Sequence, residues 1–172
     1  MLTGVRILSA SYQDLPDVAL IHVAAWKQAY VGQVSQAYLD GLNVAQRLER
    51  WQEQFADCAV SGLLAANIKK AAGFICFGHA RDDDRQDWGE IYAIYVLEAY
   101  WGGGLGYQLY KHACAELQQN GYMRAYLWVL ATNDRAIAAY ERWGGLVEYD
   151  RLKDHQIGGK RVKEVSVSFV CG

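Results

Sequence analysis

A buried strand that leads straight into a glycine-rich turn and a helix is the strongest constraint in this sequence. Residues 91–96 form an apolar and aromatic run behind Glu90, and glycines 102–104 follow just before a helical pattern. Such a turn directs several backbone N–H groups to one point, and the positive end of the helix dipole adds to them. The segment therefore predicts a binding site for an anion such as a pyrophosphate.

Length and composition indicate one globular domain over residues 1–172. The chain is 52% apolar and 21% charged, and its net charge of −2 gives no general attraction for nucleic acid. We expect no membrane span, because no apolar run approaches about 20 residues. The four cysteines lie far apart and neither they nor the histidines have ligand spacing, so we expect no metal site and a cytoplasmic, reducing location.

The order of elements predicts a mixed α/β sheet without an internal repeat. The apolar periods give one strand, two helices, three strands, a helix, a strand, a helix and two strands. The predicted strands are residues 5–9, 62–67, 72–79, 89–96, 125–130, 146–149 and 162–170, and the predicted helices are 14–30, 44–55, 102–120 and 133–143. A loop containing Gly158 and Gly159 is expected between the last two strands.

Three kinds of phosphate-binding turn compete for the glycines. A P-loop is excluded, because Gly104 is followed by Leu105-Gly106-Tyr107 rather than by Lys and Ser or Thr. A dinucleotide fingerprint is a weak match, because its third glycine is Tyr107 here and no acid occurs at 122–127. The acetyl-CoA turn, Q/R-x-x-G-x-G/A, fits residues 101–106 except at Trp101.

With that turn, the sequence resembles the GNAT family of N-acetyltransferases. The resemblance covers most of the chain and is strongest over 90–110 and 133–145. It implies a mostly antiparallel sheet of six to seven strands that splays after the fourth strand, flanked by about four helices. It also implies transfer of an acetyl group from acetyl-CoA to a primary amine. The family usually has Gln or Arg at Trp101 and often Pro at Glu98, so a cofactor contact is missing at Trp101.

The resemblance implies that the splayed strand and the turn hold coenzyme A. The pantetheine arm would pair with backbone groups of Ile94, Tyr95 and Val96, and the pyrophosphate would lie on the N–H groups of the turn. Asn133 would bond the pantetheine arm, and the small Ala136 leaves room beside it. The cofactor residues at the turn are Trp101, Gly102, Gly103, Gly104, Leu105, Gly106 and Tyr107.

Tyr140 is the candidate general acid. Asn133, Ala136 and Tyr140 lie on one helix face, because they are three and seven residues apart. In the family this Tyr protonates the departing thiolate. Without the resemblance, a core aromatic with a local hydrogen bond is an equally good interpretation of Tyr140.

Glu90 is the candidate general base. An alkylamine with a pKa of about 10 must lose a proton before it attacks, and a carboxylate accepts that proton directly or through water. The offset between Glu90 and Gly104 is similar to that of the catalytic glutamate in the histone-acetylating branch. Strand alternation places Glu90, Tyr92, Ile94 and Val96 on one face, so Tyr92 is predicted to line the same pocket. The alternative is that Glu90 is a solvated charge at the strand end.

The acceptor is predicted only as a small-molecule or peptide amine. By the resemblance, the first helices contribute Trp26, Tyr30 and Tyr38 to its pocket, and the loop between the last strands contributes His155. An apolar helix face packed on the sheet is as good an interpretation of Trp26 and Tyr30. A non-catalytic acyl-CoA-binding module remains the alternative function, and a homodimer is possible.

Overall fold

Seven strands form one sheet that is covered by helices on both faces. The computed structural model describes residues 5–56, 62–67 and 71–171, with the backbone alone for residues 56 and 62–67. The strands are β1 Arg6–Ser9, β2 Gly62–Asn67, β3 Gly73–His79, β4 Gly89–Val96, β5 Arg124–Leu130, β6 Leu146–Ile157 and β7 Lys160–Val170. The helices are α1 Leu15–Ala29, α2 Gln36–Asp40, α3 Val44–Ala56, α4 Leu105–Gln119 and α5 Asp134–Arg142.

The strand order β1-β2-β3-β4-β5-β7-β6 makes the sheet antiparallel except at its middle. There β4 and β5 run parallel, and α4 is the crossover between them. Their ladder holds for only three pairs, Gly89 to Ala125, Glu90 to Tyr126 and Ile91 to Leu127. Beyond Ile91 the two strands part, so the predicted mixed sheet that splays after its fourth strand is confirmed.

The two faces of the sheet bury different clusters. On β3, Ile75 and Phe77 point to the α4 face, while Phe74 and Cys76 point to the face covered by α1 and α3. This is the two-residue period of a strand with both faces covered, so β3 is apolar and buried up to its last residue, the exposed His79. The buried Ile and Phe side chains among these each contribute roughly 1.5–3 kcal/mol on transfer from water.

A β-bulge in β4 changes which side chains face the α1 and α3 side. Cys76 pairs with Ala93 but Phe77 pairs with Ile91, so Tyr92 is an extra residue in the ladder. Tyr92 and Ala93 therefore both face the α1 and α3 cluster, and Ile94 returns to the α4 face. The predicted alternation, which put Glu90, Tyr92, Ile94 and Val96 on one face, is wrong for this reason.

Three local features of the structure differ from the prediction. Helix α4 begins at Leu105 instead of Gly102, because Gly104 adopts φ +84° and precedes the helix as its N-cap. The short helix α2 was not predicted. Strands β6 and β7 extend to a tight turn at Gly158 and Gly159, whose φ values are +57° and +78°. Residues 68–70, between β2 and β3, and Cys58 lie outside the described residues.

No helix among the described residues has both the length and the apolar character that crossing a membrane requires.

Candidate active site

A cavity of about 580 Å³ lies where β4 and β5 separate. It is lined by the diverging parts of both strands, by the glycine turn before α4, by α5 and by the end of α1. Backbone N–H and C=O groups on the facing edges of residues 92–96 and 128–130 have no partner in the opposite strand. The cavity therefore offers hydrogen bonds to an extended ligand between two parted strands.

The glycine turn needs glycine for its backbone angles at two positions. Gly102 and Gly104 adopt φ +73° and +84°, and a Cβ on either would contact nothing within 4 Å. At Gly106 the reason is packing, because a Cβ there would lie 3.2 Å from the Trp143 ring. The first N–H groups of α4 have no partner within the helix and lie at the cavity. All predicted turn residues except Gly103 line the cavity.

The Trp101 ring contacts a cation from another residue, although Trp101 itself is not basic. The Arg135 guanidinium carbon lies 3.4 Å from the centre of the Trp101 ring, and the Trp101 indole N–H donates to the Val96 carbonyl at 2.7 Å. Arg135 lines the cavity from α5. A positive charge thus lies beside the glycine turn although residue 101 is not basic, and this charge was not predicted from the sequence.

The predicted face of α5 lines the cavity through Asn133, Ala136 and Tyr140. The Asn133 side-chain oxygen accepts from the Ala136 backbone N–H at 3.3 Å as the helix cap, so its amide N–H groups remain as donors. Tyr140 is 8% exposed. Burial, and next the nearby Tyr95, hold the pKa of Tyr140 above its usual value, so its hydroxyl is protonated at neutral pH.

The far end of the cavity is aromatic with one carboxylate. Trp26 and Tyr30 line it from α1, with ring centres 4.7 Å apart, and Glu164 lines it from β7. Burial raises the pKa of Tyr30 well above its usual value, and Tyr95, Tyr140 and Glu164 add to this. Glu164 was not predicted from the sequence, because it lies in a strand of alternating polar residues without a motif.

Of the five residues predicted for the acceptor pocket, three line the cavity and two do not. Trp26, Tyr30 and Tyr92 line the cavity, but Tyr38 and His155 do not. His155 lies within β6 rather than in a loop, and its Nε2 is 2.9 Å from the Glu164 carboxylate. His155 thus contacts the cavity only through Glu164.

Glu90 is buried inside a hydrogen-bonded network. It is 2% exposed, so the alternative of a solvated strand-end charge is wrong. One oxygen accepts from the Arg81 backbone N–H at 2.8 Å and from the Tyr126 hydroxyl at 3.0 Å, and the other contacts the Arg81 guanidinium at 2.5 Å. Glu90 does not line the cavity. As a base, it would receive a proton only through a relay.

A second cavity of about 310 Å³ adjoins the first on the α1 and α3 side. Trp26, Tyr92, Ala93 and Tyr95 line both. The other residues that line the second cavity are His22, Arg47, Arg50, Trp51, Gln54, Cys76 and Arg81.

His22 is a buried neutral imidazole at this second cavity. The Trp51 indole N–H donates to its Nδ1 at 3.2 Å, so the ring proton is on Nε2. Nε2 is buried and has no hydrogen-bond partner among the described residues. Burial, and next the charge of Arg47, lower the pKa of His22 to about 3.

Among the described residues, no group of three or more His, Cys, Asp or Glu side chains is arranged to hold a metal ion.

Comparisons with known proteins agree with this geometry. The model of the acetyltransferase (GNAT) family matches residues 22–145. An uncharacterized N-acetyltransferase of Bacillus subtilis, YuaI, is 29% identical over 167 residues, which cover 96% of this chain and 92% of YuaI.

Two solved structures share the fold over nearly their whole length. The PaiA N-acetyltransferase of Thermoplasma acidophilum, in complex with coenzyme A, has a TM-score of 0.75 and 18% identity, and the match covers 98% of this chain and 99% of that one. YncA of Salmonella typhimurium, with its cofactor acetyl-CoA, has a TM-score of 0.72 and 18% identity, with coverage of 99% and 95%.

The buried neutral His22 predicts a loss of stability in acid. Its pKa is about 3 in the folded chain and near 6.5 when unfolded, so its contribution is complete above about pH 6.5 and is lost as the pH falls towards 3. Between about pH 6.5 and 5, the free energy of unfolding should fall by about 2 kcal/mol more in the wild type than in His22→Gln. Urea unfolding at several pH values measures this, and equal pH slopes for the two proteins would contradict it.

Proposed function

This chain belongs to the acetyltransferase (GNAT) family, and we propose that it transfers the acetyl group of acetyl-CoA to a primary amine. The observation that carries the proposal is the cavity between the parted strands, which brings the glycine turn together with Asn133 and Tyr140. The coenzyme A and acetyl-CoA in the PaiA and YncA structures support this choice of cofactor. In this proposal, residues 1–172 form one acetyltransferase domain.

Coenzyme A lies along the cavity in this proposal. Its pyrophosphate accepts from the first N–H groups of α4, and Arg135 beside Trp101 supplies the positive charge. Its pantetheine arm hydrogen bonds to the edge of β4 that faces the gap at Ile94, Tyr95 and Val96, where the Val96 carbonyl also accepts from the Trp101 indole. The amide N–H of Asn133 donates to the same arm from the opposite wall.

The reaction is direct attack of the amine nitrogen on the thioester carbonyl. The C–N bond forms and the carbonyl oxygen becomes an oxyanion, which backbone N–H groups near Tyr95 and Val96 stabilise. The C–S bond then breaks, and Tyr140 gives its proton to the departing thiolate of coenzyme A. The raised pKa of Tyr140 suits this role, because an acid must hold its proton until the thiolate forms.

Two carboxylates compete for the proton that the amine loses. Glu164 lines the cavity near Tyr30 and Tyr95, so it has direct access to an amine bound there. Glu90, the residue predicted from the sequence, does not line the cavity, and neither does its hydrogen-bond partner Tyr126, so Glu90 needs a relay through water. We therefore assign direct proton acceptance to Glu164 and keep relayed acceptance by Glu90 as the competing prediction.

Two measurements test the proposed function. Acetyl-CoA should raise the melting temperature of the protein, and a panel of amines should include acceptors that release the coenzyme A thiol. No stabilisation by acetyl-CoA would contradict the proposal. Stabilisation without turnover of any amine would instead indicate an acyl-CoA-binding module.

Arg135→Gln should weaken acetyl-CoA binding, because it removes the cation beside the glycine turn. Loss of one charge-assisted contact, about 1.5–3 kcal/mol, corresponds to at least a tenfold rise in the KM for acetyl-CoA, with little change in kcat. Steady-state kinetics measure both. Arg161→Gln, an exposed arginine that lines neither cavity, is the matched control. An unchanged KM in Arg135→Gln would remove Arg135 from the phosphate site.

Tyr140→Phe should lower kcat by about 10²-fold to 10⁴-fold and leave the Kd for acetyl-CoA unchanged, because only the proton donor is lost. Turnover and calorimetric titration with acetyl-CoA separate the two effects. Tyr149→Phe, at an exposed tyrosine outside the cavity, should match the wild type. Wild-type turnover in Tyr140→Phe would exclude Tyr140 as the acid.

The pH dependence of the two carboxylate variants identifies the base. Glu164→Gln should be slow near neutral pH and recover as the pH rises and the amine loses its own proton. Glu90→Gln should show a pH-independent loss, because it disturbs the Arg81 and Tyr126 network. Profiles of kcat/KM against pH measure both, and the reverse result would favour Glu90 as the base.

A further inference from the structure

The second cavity carries positive charge, and the described residues that line it include no carboxylate. Arg47 and Arg50 reach it from α3, and Arg81 reaches it from the segment after β3. Arg81 is neutralised by Glu90, but within the described residues Arg47 and Arg50 form no ion pair. Arg47 is half-buried and Arg50 exposed. The cavity therefore has two guanidinium groups available for an anion.

His22 adds a buried donor to the same cavity. It is 8% exposed, its Nδ1 is occupied by the Trp51 indole, and its Nε2–H has no acceptor among the described residues. A buried donor without a partner costs about 1–3 kcal/mol, which a ligand oxygen would recover. Arg47 lies close enough to His22 for its charge to lower the pKa of the imidazole, so the cation and the donor are near each other. A ligand that accepts from the His22 N–H and pairs with the arginines carries negatively charged oxygen atoms, so the cavity favours an oxyanion.

The position of this cavity links it to the acceptor amine. Trp26 and Tyr95 separate it from the end of the main cavity where Tyr140 and Glu164 lie. The glycine turn and Arg135 line only the main cavity, so the phosphates of coenzyme A are held elsewhere. A volume of about 310 Å³ suits a small acid-bearing group.

We propose that the second cavity binds the carboxylate of the acceptor, so that the substrate class is a primary amine that also carries an acid group. Arg47 and Arg50 pair with the acid, and the His22 Nε2–H donates to it. The amine end lies across Trp26 and Tyr95, near Tyr140 and Glu164. This inference rests on the proposed acetyl transfer, because it concerns the acceptor of that reaction.

The first experiment detects the anion site without catalysis. Acetate and inorganic phosphate are titrated into the full chain, and the imidazole resonances of His22 are followed by NMR. Both anions should shift the His22 signals in the wild type and in Arg161→Gln, and the shift should be lost in the double variant Arg47→Gln, Arg50→Gln. Unshifted His22 signals in the wild type would overturn the proposal, as would shifts that persist in the double variant.

The second experiment identifies the source of the anion. Thiol release is measured with the protein amino acids and with the amine that each would leave on decarboxylation. The wild type should prefer the acid-bearing member of an accepted pair by at least tenfold in kcat/KM. Arg47→Gln should remove most of that preference without changing the KM for acetyl-CoA, and Arg161→Gln should retain it.

Each other outcome of this experiment counts against the proposal. Equal use of both members of a pair, together with acetate binding at His22, would make the cavity a site for a separate anion. Turnover of the decarboxylated amines alone, or of no acid-bearing amine, would overturn the inference. Acetylation of any amine would still leave the proposed function intact, whereas failure to bind acetyl-CoA would remove the proposed function itself.

Discussion

The structure depends on the short parallel ladder between β4 and β5. Parallel strands that are neighbours in a sheet need a crossover, and α4 supplies it. The crossover must leave the carboxyl end of β4, so the N-terminus of α4 and its glycine turn lie where the ladder has already ended. One topological requirement therefore places unpaired strand edges and an anion-binding helix end in the same cavity.

The charged and polar groups along the two cavities fall into three regions, and each region matches one part of the proposed ligands. The glycine turn and Arg135 are positive at one end, Tyr140 and Glu164 lie at the reacting centre, and the arginines of α3 lie beyond Trp26 and Tyr95. In the proposed reaction these regions hold the phosphates, the thioester with the amine, and the acid group of the acceptor. The buried Glu90 forms a direct ion pair with the exposed Arg81, and this pair connects the sheet to the second cavity.

The sequence predicted the elements that have strong local patterns. The apolar run of β4, the glycine turn and the Asn133 to Tyr140 face of α5 all depend on neighbouring residues, and the structure has them where they were expected. The bulge at Tyr92 was not predicted, because a shift in register depends on the partner strand β3. Pairwise contacts between distant segments, such as Arg135 on Trp101 and Glu164 beside Tyr30, leave no pattern in a single sequence.

Amide hydrogen exchange with and without acetyl-CoA tests whether the cofactor binds between the parted strands, because it reports on the backbone groups that these strands leave unpaired. Acetyl-CoA should slow exchange at residues 92–96 of β4 and at residues 102–107 of the glycine turn. Exchange in β1, β2 and the β6–β7 hairpin should stay unchanged. Binding of acetyl-CoA with no protection at β4 and the turn, or with protection confined to another part of the chain, would contradict binding between the parted strands.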